Sequence, residues 1–160
     1  MTRLAGPASP ETELFRRVSP DQVVVDETRR CLRMSSAAFR QAEMSIYLQD
    51  ELASARREPA SVIETAAHRN RFLAAVRVRV ALDLFLEVRR SPGDDEAHGD
   101  VVGKKSSHQR DKKLSRAARW IVAPTHACRE DLHETLPVSF RPAPPDPLTH
   151  LQSLLARAQK

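Results

Sequence analysis

Apolar positions along the chain gather into short clusters separated by turn residues, and no single period runs through them. Residues 14 to 18 (Leu-Phe-Arg-Arg-Val) are short and apolar and close at Ser19-Pro20, and Val23, Val24 and Val25 follow the Pro-Asp pair. Their β-branched content, with a turn between them, predicts two extended segments. Met44, Ile46, Tyr47 and Leu48 predict another, with a helix over residues 36 to 42 as its competitor. Residues 51 to 57 are polar. Pro59 stands where a first helical turn tolerates proline, and Ser61 with Glu64 has the spacing of a capping box, so a helix is expected to end near His68.

Residues 72 to 88 (FLAAVRVRVALDLFLEV) are the most apolar stretch. As one helix they would be apolar nearly all round. As strand, short helix and strand they set Val76, Val78 and Val80 against Arg77 and Arg79 in period two, with the second strand at residues 84 to 88. The broken reading is the expectation. A turn at Ser91-Pro92-Gly93-Asp94-Asp95 precedes a short strand over residues 98 to 103. Basic residues then crowd around Leu114, Ala117, Ala118 and Ile121, which fit one face of a helix anchored by Trp120 and stopped by Pro124. Thr149 can cap a last helix with Leu151, Leu154 and Leu155 on one side.

These elements add up to an α+β fold, a small mixed sheet of short strands with a few helices in a single domain. The expected organisation is a disordered lead-in over residues 1–13, a core domain over 14–123, a proline-rich connector over 124–147 and an amphipathic helix over 148–160. No run approaches the roughly 18 apolar residues of a membrane span, and no basic start followed by an apolar stretch marks a signal segment. Cys31 and Cys128 are too few for a disulfide framework and are expected as plain thiols, which points to the cytoplasm. A net charge of +5 permits nucleic acid or acidic protein partners without choosing between them. Nothing indicates oligomeric state or a membrane partner.

Four motifs recur in order: Arg17-Val18-Ser19-Pro20, Ser35-Ser36-Ala37-Ala38-Phe39, Met44-Ser45, and Ala97-His98-x-x-Val101-x-Gly103-Lys104-Lys105. Together they resemble a series found in a group of small bacterial proteins of unassigned function, covering residues 14 to 122. The resemblance implies a bacterial origin and one domain, and it brings no reaction. An arginine on an early strand, a serine-bearing strand and a later polar residue are also loosely similar to NAD-consuming ADP-ribosyltransferase-like toxins. Those folds usually need a late catalytic glutamate on a strand, and neither Glu87 nor Glu96 stands in a matching motif.

His98 follows Asp94, Asp95 and Glu96, so a carboxylate neighbour could hold its charge near neutral pH and suit it to general base catalysis. Ser35, Ser36 and Ser45 could donate to a phosphate or ribose, with Arg17 and Lys104 neutralising the charge. The basic patch consists of Lys105, Arg110, Lys112, Lys113, Arg116 and Arg119. His126, Cys128 and His133 lack the fourth ligand that a structural zinc site needs. Gly103-Lys104-Lys105-Ser106 lacks the earlier glycine of a phosphate loop, so no metal or other cofactor is implied.

Two functions follow. The first is a binding or accessory module that engages a protein or nucleic acid through the basic helix, without reading bases, since stacking aromatics are absent there. The second is a small enzyme or toxin acting on a nucleotide-like substrate such as NAD, in a cleft containing Arg17, Ser35, Ser36, His98 and Lys104. Convergence of those side chains in space separates them.

Overall fold

A computed structural model of the chain describes residues 7–41, 43–93, 95–103 and 108–157. Among the described residues nine strands form: β1 Glu13–Val18, β2 Val23–Asp26, β3 Cys31–Met34, β4 Glu43–Leu48, β5 Phe72–Arg77, β6 Glu87–Arg90, β7 His98–Val102, β8 Arg119–Pro124 and β9 Ser139–Arg141. The helices are α1 Gln49–Ser54, α2 Val78–Asp83, α3 His108–Ala117 and α4 Pro145–Arg157. Seven strands make one sheet in the order β6-β7-β4-β1-β5-β8-β9, and β2 pairs with β3 separately. Every neighbouring pair in the large sheet is antiparallel except β8 with β9. The fold is thus α+β.

Alternation in the central strands sends side chains to two cores. Leu14 and Val18 of β1, Met44, Ile46 and Leu48 of β4, and Phe72, Ala74 and Val76 of β5 share the first face. Over it pack Leu32 and Met34 of β3, Leu114 of α3 and Leu151 of α4. Phe15, Tyr47, Leu73 and Ala75 face the other way, against Leu52 of α1 and against Val62 and Ile63. Because β5 and β8 are covered on both sides, their sequences read as continuous apolar runs. That is why β8 resembles the end of a helix in the sequence.

The expected strand, helix and strand order over residues 72 to 88 holds, with shifted details. Val78 and Val80 belong to α2 and not to a strand. The chain turns helical after Arg77 because the free Val78 and Arg79 amides find the carbonyls of Thr12 and Pro10 at 3.0 and 3.1 Å. The following strand begins at Glu87, after Phe85 has taken a left-handed turn. The helix expected to end near His68 is two 3-10 turns, Pro59–Ile63 and Ala66–His68, with Glu58 and not Ser61 at the cap of the first. A capping box forms instead between Ser19 and Gln22. Trp120 lies in β8, so it anchors a strand.

The ends contribute more than expected. The Ala8 amide donates to the Val88 carbonyl at 3.0 Å, so part of the lead-in borders β6. The connector contains β9, and α4 starts inside it, with Pro145 and Pro147 in its opening turn where they remove no needed donor. Cys31 and Cys128 form a disulfide and not two thiols. Sequence spacing hides this pair, which β3 and the turn after β8 bring side by side. The Leu32 amide donates to His126 and the Cys128 amide to Leu32, both at 2.9 Å. Among the described residues, no helix is long and apolar enough to cross a membrane.

Candidate anion-binding cleft

Ser35 follows β3 in extended conformation and caps the 3-10 turn Ser36–Phe39, its hydroxyl accepting from the Ala37 amide at 3.1 Å. Ala38 and Phe39 bury against the first core, and α3 packs across this turn. The hairpin β2–β3 forms the opposite wall. Between them lies a cleft of about 610 Å³, lined by Asp26, Arg29, Arg33, Ser35, Ser36, His108, Lys112, Ser115, Arg116 and Asp131, with Met34 the single apolar residue among the described residues there.

Charge in the cleft is unevenly spent. Arg29 donates through Nη1 and Nη2 to Asp131 at 2.9 and 3.0 Å and through Nε to Asp26 at 2.9 Å. The bonds to Asp131 raise the Arg29 pKa above its ordinary value. The Arg29 amide, and then its guanidinium, hold the Asp26 carboxyl below the usual range against the opposing effect of burial. Arg33 reaches Asp26 only at 3.7 Å. Both carboxylates are therefore occupied by Arg29.

Lys112 and Arg116 stand one turn apart on α3, on the same side, and both are exposed. Among the described residues neither is paired with a carboxylate, and the Ser36 hydroxyl has no hydrogen-bond partner. The cleft thus offers an ammonium, two guanidinium groups and a hydroxyl to an incoming anion.

The residues singled out in the sequence divide between two places. Ser35 and Ser36 join Lys112 and Arg116 in the cleft. Arg17, Ser45 and His98 project from the opposite face of the large sheet. There the Arg17 guanidinium lies 4.7 Å from the Tyr47 ring centroid, and the His98 ring meets Tyr47 edge-on at 5.8 Å. His98 Nδ1 lies 2.9 Å from the Ser91 carbonyl, so that nitrogen carries the proton and donates. Its Nε2 is 3.9 Å from Asp100, which stands across from Ser45.

Lys104 and Lys105 lie outside the described residues. Arg110 does not belong to an exposed basic patch. It is buried beside Asp111, with Nη2 3.5 Å from Oδ1, because its position on α3 faces inward. Arg119 starts β8 and donates to the carbonyls of Arg116 and Ala118 at the end of α3. Lys113 borders a different depression of about 830 Å³, beside Phe85 and Gln109.

Sequence reasoning missed Asp26, Arg29, Arg33 and Asp131. The one local sign was an aspartate three residues before an arginine in a turn between β-branched segments. No known family, curated protein or solved structure matches this chain.

Proposed function

We propose that the protein is a binding module for phosphate-bearing partners, and that the cleft between the β2–β3 hairpin and α3 grips a nucleic acid backbone. The observation that carries this reading is the unpaired Lys112 and Arg116 beside the Ser36 hydroxyl, in a cleft whose acids are already occupied. Among the described residues the lining carries no Phe, Tyr or Trp and only the His108 ring as a stacking surface, so recognition rests on phosphate and not on sequence. The enzyme reading loses its support, because Arg17 and His98 lie across the sheet from the serine pair. The motif series favours a place in a bacterial system. The cytoplasmic location expected from two thiols loses that ground too, since a disulfide favours oxidising surroundings.

Fluorescence anisotropy with a short labelled oligonucleotide at two salt concentrations tests the reading. Binding should weaken steeply with salt and be indifferent to base sequence. The double variant K112E/R116E should lose it. Binding that resists salt, or that survives in the double variant, overturns the proposal.

A further inference from the structure

On the far side of the sheet from the cleft, residues 62 to 71 are held between two arginines. Arg17 of β1 donates through Nε to the Val62 carbonyl at 2.8 Å while its plane covers Tyr47. Arg141 of β9 donates to the carbonyls of Ile63, His68 and Arg71 at 3.4, 3.3 and 2.8 Å, and to that of Arg69. Arg141 is consumed by these bonds. Arg17 is positioned by its bond and its stacking, yet its two terminal nitrogens have no hydrogen-bond partner among the described residues. Arg71 has none either, and the Nδ1 atom of His68 is buried without a partner.

Among the described residues, no carboxylate is paired with Arg17 or Arg71 at this corner. Asp95 feels the Arg17 charge, but its carboxylate is held by Arg57 at 2.7 Å and by the Ala97 amide at 2.9 Å. Arg16, which feels both Arg17 and Arg71, donates among the described residues to neutral acceptors, the carbonyls of Ala38 and Ser45 and the Gln41 side chain. Like charges brought together in half-buried positions repel, and a bound anion removes that cost while satisfying the vacant donors. A guanidinium fixed in plane, with its outer edge free, presents the paired donors that match two oxygens of a phosphate.

We infer that Arg17, His68 and Arg71 form a second site, separate from the cleft, that takes a phosphate group. Arg17 supplies a preset fork, Arg71 a second cation, and the imidazole a third donor when protonated. The site does not depend on the cleft, whose residues lie on the other side of the sheet.

His68 provides the readout. Burial first, and then the charges of Arg17 and Arg71, hold its pKa below the ordinary histidine value. Arg141 from β9 also approaches it, through the backbone carbonyl. An anion among these groups favours the imidazolium, so the pKa must rise when the site fills.

The experiment is an NMR titration of the His68 ring with and without sulfate, which stays dianionic throughout, followed by affinities for inorganic phosphate and glycerol phosphate. The expected result is an upward shift of the His68 midpoint, and phosphate binding at least about tenfold weaker in Arg71→Ala, the scale of one charge-assisted hydrogen bond. Arg17→Lys, which keeps the charge and loses the fork, should weaken it too and guards against misfolding in a larger truncation. Tighter binding of glycerol phosphate than of phosphate would assign the site to an esterified group, and the reverse to the free ion. In K112E/R116E the His68 shift should persist. A His68 midpoint that ignores sulfate overturns the inference, as does a response lost in the cleft variant and kept in Arg71→Ala.

Discussion

Arg29 and Asp131 meet end to end across 102 residues of sequence, with two parallel bonds of 2.9 and 3.0 Å. The pair closes one wall of the cleft and at the same time withholds a guanidinium from any ligand. Asp131→Asn should therefore release positive charge into the cleft. We expect oligonucleotide affinity to rise severalfold at low salt, with the gain vanishing at high salt. The clasp is partly exposed, so its loss should cost about 1 kcal/mol and roughly 2–4 °C in Tm. Weaker binding in this variant would mean that the wall's order matters more than its charge.

Acid should loosen the same wall. The folded-state pKa of Asp26 is depressed, chiefly by the Arg29 amide and guanidinium, so its stabilising contribution is complete above the ordinary carboxylate range. It is lost as pH falls toward the lowered value. Urea midpoints should drop between about pH 5 and pH 2, and the drop should be shallower in Asp26→Asn. Equal slopes in the two proteins would remove Asp26 from the acid response.

The Cys31–Cys128 bond closes a loop with a sequence separation of 97 residues. Reduction, or the double serine variant, should lower stability by roughly 4–5 kcal/mol on the chain-entropy account. The direct check is alkylation of denatured, unreduced protein. No thiol should react, and two reactive thiols would contradict the bridge.

Trp120 is fully buried, touches Phe72 edge-on at 5.9 Å, and leaves its indole nitrogen without a partner. Trp120→Ala should cost about 3–5 kcal/mol through the cavity it opens. Trp120→Phe keeps an aromatic ring against Phe72 and removes an unsatisfied donor, so denaturant curves should show a much smaller loss. Similar losses for the two variants would mean that cavity volume does not govern the site.

His98→Ala separates the two faces of the sheet. Its ring touches Tyr47 and the Ser91 carbonyl and does not line the cleft. Oligonucleotide affinity should stay within about twofold of the parent, well under the effect of losing one charge-assisted bond.

What the sequence disclosed follows from how locally each element is specified. Turn chemistry at Ser19-Pro20 and Ser91-Pro92-Gly93 marked the ends of β1 and β6, and the amphipathic pattern around Leu114 marked α3. Elements defined by partners far along the chain stayed hidden. The β8 strand carries apolar residues on both faces and so lacks the alternation of a half-exposed strand, while β3, at four residues, is too short for its alternation to stand out. The cleft was half visible: Ser35, Ser36, Lys112 and Arg116 could be chosen by chemistry. That Arg17 and His98 would leave them required the register of β1, β4 and β7, which no local pattern encodes.

The Ala8 amide on the Val88 carbonyl, a small contact in the fold, has a consequence for the protein in a crowd. A sheet ends in two borders, and an unpaired border is a template onto which another chain can zip. Here one border is fenced by residues 7 and 8 and the other is a strand of only three residues, Ser139–Arg141. A truncation that removes Ala8 would take one small side chain from the edge of the first core and open that fence, leaving β6 inclined to pair with another chain.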